Sequence, residues 1–277
     1  NSLGFRGPEF APMKEPNTLR IFCLGESSTY GIYKDDADVW PRRLEEKLQE
    51  QIPKHRVEVI NAGVPGYSSY ESLIYLIQEI VNYRPDAILV THTWNDSIKF
   101  GTIGASGNLV QTQMLRIRHV GKHGPLRDLL NRLVLVGMIE HRILDPLWTW
   151  RHEGDWFYNT LFHSENVPLD VAAFERNLRA MVHYAADSGF LAVLCTQVIR
   201  MVDPNDSARW LHRLPQCEQI VRRVAGQPGA ILADAARHVE ANEVNLADAV
   251  HFTPHGSEVM AQFLANRLVE SLRSELE

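Results

Sequence analysis

The sequence predicts an α/β fold built on a parallel sheet with helices on both faces. Short apolar runs alternate with helix-patterned segments along most of the chain, and the first run is closed by a glycine that signals a tight turn. Of the 277 residues, 45% are hydrophobic and 22% charged, which are ordinary globular values and supply a substantial core.

Taken in order, residues 19–24 (LRIFCL) read as a strand ending at Gly25. From Val39, VWPRRLEEKLQEQI places Leu44, Leu48 and Ile52 at helical intervals and stops at Pro53. RVEVINAGV from Arg56 is a second strand. SSYESLIYLIQEIVNYR from Ser68 is a second helix, with Glu71 three residues after Ser68 in capping-box spacing. AILVTHTW from Ala87 is a third strand. The pattern resumes with a helix from about Asp170 to Ala186, a strand FLAVLCTQV from Phe190, a helix near 207–225, a strand AILADA from Ala230 and a closing amphipathic helix from His255. A sheet of about five parallel strands carries its site at the carboxyl ends of the strands, where Ser27, Gly66 and Asn95 emerge.

Residues 1–18 form a lead-in, and 19–277 a domain interrupted at about 98–170 by an expected helical insertion. Within it, residues 125–151 read as one or two amphipathic helices ending at Trp148 and Trp150, which either pack on the core or form a lid, an acyl-chain groove or a membrane-facing surface. Trp94, Trp148 and Trp150 are candidate substrate contacts.

Lys and Arg number 28 against 34 Asp and Glu, for a net charge of -6, which disfavours nucleic acid as a partner. Cys23, Cys195 and Cys217 are far apart in sequence, with no CxxC pair, so neither a metal nor another cofactor is expected; Cys23 and Cys195 read as buried strand residues. Gly25 and Gly31 flank five residues with no Lys-Ser/Thr after them, so the phosphate-loop pattern fails, and GxGxxG and GxSxG are both missing. The first residue is Asn1 rather than methionine, so an upstream segment is expected, through which membrane association remains open.

A serine becomes a useful nucleophile only when a base takes its proton and donors wait for the oxyanion. Ser27, in Gly25-Glu26-Ser27-Ser28-Thr29, directly follows the first strand, although a serine there also serves as a helix cap. Gly66 follows Pro65 in the loop after the second strand, where turn chemistry alone would also select it. Asn95 leaves the third strand as a donor or a cap. Asp248 precedes His251 by three residues, so one turn lets the carboxylate hold one imidazole nitrogen while the other faces Ser27. His255 lies four residues beyond His251, but the glutamate of HExxH and a third ligand are missing.

Together these four segments resemble the SGNH, or GDSL-type, hydrolase family, with Ser27, Gly66, Asn95 and His251 in the order of its four blocks. The resemblance covers about 19–97 and 188–275. It implies a flavodoxin-like three-layer αβα sandwich and ester hydrolysis through an acyl-serine. Ser27 is then the nucleophile, His251 the base and Asp248 its orienting acid, with the Ser27 and Gly66 amides and the Asn95 side chain as oxyanion donors. Two departures stand out: Glu26 replaces the family's aspartate, and Thr93 replaces a glycine, which puts the position of Asn95 in question. The opening NSLGFRGPEF resembles the lead-in of membrane-anchored or exported bacterial members, implying an extracytoplasmic setting, with a cytoplasmic one left open. The substrates implied are small-molecule, carbohydrate or lipid esters. An O-acyltransferase with the same triad and a non-catalytic binding module are the alternatives; the oligomeric state is not legible.

Overall fold

The computed structural model describes residues 1–99, 171–200 and 214–276. Its centre is a five-stranded, all-parallel sheet of β1 (Thr18–Gly25), β2 (Arg56–Gly63), β3 (Ala87–Thr91), β4 (Leu191–Cys195) and β5 (Ala230–Ala233). The spatial order is β2-β1-β3-β4-β5, the flavodoxin-like order, in which the connections reverse direction beside β1 and β3. The helices are α1 (Ser27–Tyr30), α2 (Trp40–Gln51), α3 (Ser69–Gln78), α4 (Trp94–Lys99), α5 (Val171–Ser188), α6 (Leu214–Ala225), α7 (Ala235–His238) and α8 (Pro254–Leu276).

Strand side chains point alternately to the two faces, so each strand feeds two cores. Ile21, Cys23, Val59, Leu89 and Val193 pack with Trp40, Leu44 and Leu48 of α2 and Met260, Leu264 and Leu268 of α8. On the opposite layer α5 packs against α3, α6 and β4. The helical spacing of Leu44, Leu48 and Ile52 thus marks a buried stripe, as expected. Ser68 caps α3 in a full capping box with Glu71.

Several boundaries differ from expectation: β4 stops at Cys195 rather than running on to Val198, and α3 ends at Gln78, with a separate 3-10 turn over Ile80–Tyr83. β3 ends at Thr91 rather than running to Trp94, because the Thr93 carbonyl already accepts the Ser97 N–H as α4 begins. The lead-in packs on the domain: Phe5 is buried among the rings of Phe10, Phe22, Tyr75 and Tyr83. Further along, the Arg20 guanidinium, paired with Glu58 at 2.7 Å, also donates to the carbonyls of Ala11 and Pro12. The expected insertion at about 98–170, with Trp148 and Trp150, lies outside the described residues from 100 onward, as does the start of the helix expected near 207–225.

Glycines at the carboxyl ends of β1 and β2 make room for α1. A Cβ on Gly63 would sit 2.5 Å from the Tyr30 nitrogen and 2.9 Å from the Thr29 carbonyl carbon, both backbone atoms that cannot swing aside. Gly63→Ala is therefore expected to destabilise the fold by about 1–3 kcal/mol through overpacking. Thermal unfolding reads this directly, and an unchanged midpoint would contradict the close seat of α1 on β2.

Candidate active site

Ser27 is the first residue of α1, directly after β1, with Glu26 at the cap position in an extended conformation. The sharp exit from β1 is closed by N–H groups of Thr29 and Tyr30 donating to the Glu26 carbonyl at 3.1 and 2.9 Å. A Cβ on Gly25 would lie 2.1 Å from Thr29 Oγ1 and 2.9 Å from the Thr91 carbonyl oxygen, so a glycine is needed where α1 folds back over the strand end.

His251 approaches from the turn before α8. Its Nε2 lies 2.8 Å from Ser27 Oγ and its Nδ1 2.7 Å from Asp248 Oδ2. The other Asp248 oxygen, Oδ1, accepts the N–H groups of Val250 and His251, both at 2.9 Å, so the three-residue spacing closes as one turn. Burial alone would raise the Asp248 carboxyl. The two backbone donors and the imidazole outweigh it and hold the group below the ordinary aspartate value, so it is ionised at neutral pH.

The turn is braced on both flanks by residues that carry no motif. Lys34 Nζ donates to the Phe252 carbonyl at 2.5 Å, and Arg200 donates through its backbone N–H to the Ala249 carbonyl at 2.7 Å. Burial, reinforced by nearby Arg6, pushes the Lys34 ammonium down to about 8. Gly256 matters for the same turn: a Cβ there would fall 1.9 Å from the Asn245 carbonyl oxygen. His255, the second residue of α8, is exposed.

The loops after β2 and β3 complete the rim. Pro65-Gly66 has the signature of a type II turn, with the Tyr67 N–H on the Val64 carbonyl at 3.1 Å and Gly66 at φ 83°. A Cβ on Gly66 would meet nothing within 4 Å, so glycine is required there for its backbone angle rather than for space. The turn is tied to β1 by the Val64 N–H on the Gly25 carbonyl at 3.0 Å.

Asn95 lies in the first turn of α4, held at two points. Its backbone N–H donates to Glu26 Oε2 at 2.9 Å and its side-chain Nδ2 to the Tyr67 carbonyl at 2.9 Å. The departures from the family pattern are absorbed here. Glu26 is fully buried and spans from the loop of Ser27 to the Asn95 backbone, while Thr93 is buried with its hydroxyl on the His92 carbonyl.

A buried network behind Asn95 was not anticipated from sequence. Asp96 accepts the Ser69 N–H at 3.1 Å and its hydroxyl at 2.6 Å, and His92 Nε2 meets Ser72 Oγ at 2.8 Å. This network fixes the start of α3, and so the Gly66 loop, against α4. The signal for it was Asp96 standing next to Asn95. Gln197, also unanticipated, accepts the Trp94 N–H at 2.7 Å and donates to Ser28 Oγ at 3.0 Å, which joins the end of β4 to the site. The Trp94 side chain itself is half-buried.

Burial pushes the Cys195 thiol up to about 12 and raises Cys23 well above the ordinary thiol value, so neither is a ready thiolate; Cys217 is buried.

A serine hydroxyl, an imidazole and a carboxylate stand in hydrogen-bonded series at the carboxyl edge of a flavodoxin-like sheet. The chain belongs to the GDSL-like lipase/acylhydrolase family, whose model matches residues 23–259, and it is a carboxylic ester hydrolase. Among solved structures it is similar to an acetylxylan esterase from Geobacillus stearothermophilus, at 14% identity and TM-score 0.57, covering 90% of this chain and 94% of that one. It is also similar to a lipase/acylhydrolase from Enterococcus faecalis, at 18% identity and TM-score 0.54, covering 91% and 96%. At these identities the likeness establishes the shared fold. No curated protein matches the chain. Among the described residues no helix is long and apolar enough to cross a membrane.

Proposed function

We propose that the chain hydrolyses small acyl esters, acetyl esters foremost, through an acyl-Ser27 intermediate. The observation that carries this reading is the His251 ring, which bridges Ser27 Oγ at 2.8 Å and Asp248 Oδ2 at 2.7 Å. Ser27 Oγ attacks the ester carbonyl as His251 Nε2 takes its proton, and the imidazolium so formed is stabilised by ionised Asp248. The tetrahedral oxyanion is received by the Ser27 and Gly66 backbone N–H groups and the Asn95 amide. One Asn95 N–H serves the Tyr67 carbonyl; the amide nitrogen carries a second.

Collapse of the intermediate breaks the bond to the alcohol oxygen, which takes the proton from His251. A water then repeats the sequence: His251 removes its proton, the acyl–serine bond breaks, and Ser27 is regenerated with release of the carboxylic acid. No metal or cofactor enters any step. The likeness to an acetylxylan esterase supports a short acyl group.

A series of p-nitrophenyl esters from acetate to octanoate tests this. The expected result is turnover with free acetate released, and kcat/KM at least about tenfold higher for acetyl than for octanoyl, since each methylene excluded from a pocket is worth about 1–3 kcal/mol. Preference for octanoate would overturn the small-acyl assignment, and no turnover across the series would overturn ester hydrolysis.

A further inference from the structure

Beside His251 stands an exposed aromatic side chain. Tyr33 is 91% exposed, the most exposed large apolar side chain among the described residues, and its backbone is left-handed at φ 67°, a conformation bulky residues rarely adopt. Its ring stands edge-on to His251, with centroids 6.3 Å apart and planes at 76°. Burial does not account for this placement, because the ring is in solvent.

The loop that presents the ring is nonetheless tightly held. Arg6 Nη1 donates to the carbonyls of Tyr30 and Gly31, each at 2.8 Å, Arg6 Nη2 donates to that of Lys34 at 2.5 Å, and its Nε pairs with Asp36 at 2.9 Å. Lys34 in turn bonds the Phe252 carbonyl, next to His251. A strained, exposed aromatic on a clamped loop is a feature for which function is the natural explanation.

We infer that Tyr33 is a stacking platform for a sugar ring in the alcohol part of the ester, so that the substrate class is the O-acylated pyranoside. This rests on the ester hydrolysis proposed above. Two observations select the sugar. His251 must reach the leaving oxygen to protonate it, so the alcohol lies on the His251 side of the scissile bond, and that is the side Tyr33 borders. The residues that follow the ring are Lys34, Asp35 and Asp36, with both carboxylates exposed, and these offer acceptors for hydroxyl groups. A flat ring beside hydrogen-bond acceptors matches a pyranose, which has apolar C–H faces and polar edges.

The test compares Tyr33→Ala and Tyr33→Phe on acetylated xylo-oligosaccharide and on ethyl acetate, an ester with no ring to stack. For Tyr33→Ala, kcat/KM on the sugar ester is expected to fall about tenfold more than on ethyl acetate, a factor equal to about 1.4 kcal/mol, and Tyr33→Phe is expected to recover most of it. Equal losses on both esters, or none, would overturn the inference, as would a selective loss on ethyl octanoate, which would place the ring against the acyl chain. Saturation-transfer NMR of unacetylated xylotriose on the Ser27→Ala protein, with and without Tyr33→Ala, reads sugar binding without turnover. A transfer signal that is present with Ser27→Ala alone and disappears in the double variant supports the platform even if hydrolysis fails, whereas a signal that persists without Tyr33 contradicts it.

Discussion

Ser27→Ala is expected to lower kcat on p-nitrophenyl acetate by roughly 10⁴–10⁶-fold, the scale of losing a nucleophile from a hydrogen-bonded triad. The substitution removes one oxygen that is half-buried and bonded to His251, and leaves alone the interactions that shape the loop. Those interactions are backbone bonds to the Glu26 carbonyl, the close seat of α1 on Gly63, and the Asn61 side chain, which donates to the Thr29 carbonyl at 3.0 Å. Stability should therefore stay within about 1 kcal/mol of wild type, as for most substitutions that create no cavity. Steady-state rates and thermal unfolding together decide the matter. A variant that keeps more than a tenth of the activity while folded would remove Ser27 from the reaction.

Asn95→Ala should produce the second largest loss, about 10²–10³-fold in kcat with KM little changed, equivalent to about 3–4 kcal/mol of transition-state stabilisation. The split follows from the role proposed for the amide, which acts on charge that develops only after attack. Position 95 would keep its backbone N–H on Glu26, so the loop retains one of its two anchors and the kinetic effect can be separated from collapse of the loop. Asn95→Asp provides a control of similar size, because a carboxylate facing the oxyanion should be at least as damaging as alanine. A rise in KM with kcat preserved would show instead that Asn95 binds ground-state substrate.

The elements that sequence reasoning placed are those with strong periodicity or hard stops. α2 was legible because Leu44, Leu48 and Ile52 recur on one face and Pro53 stops the pattern, and the start of α3 because Ser68 and Glu71 stand in capping-box spacing. The spacing of Asp248 and His251 was legible too, since a three-residue offset closes as a single turn. What escaped was long-range and polar. Arg6 lies outside any periodic segment, yet it clamps the loop from Tyr30 to Lys34. β3 stops at Thr91 although its apolar run goes on, because the Ser97 N–H already bonds the Thr93 carbonyl and a helix starts there.

Glu26 shows the same limit. The extra methylene was visible in the sequence, but its partner is the backbone of a residue 69 positions away, which one-dimensional spacing cannot reveal. The neighbourhood of Tyr33 was likewise hidden, because His251 lies more than two hundred positions further along the chain.

The most direct test of the central claim is whether Ser27 Oγ is activated. The folded chain should react with a fluorophosphonate at neutral pH with one label per molecule, and peptide mass spectrometry should locate the adduct on Ser27. His251→Ala should slow labelling by a factor of about 10² or more, since the serine then lacks its base. An adduct on another residue, or ester turnover without any labelling of Ser27, would contradict the account.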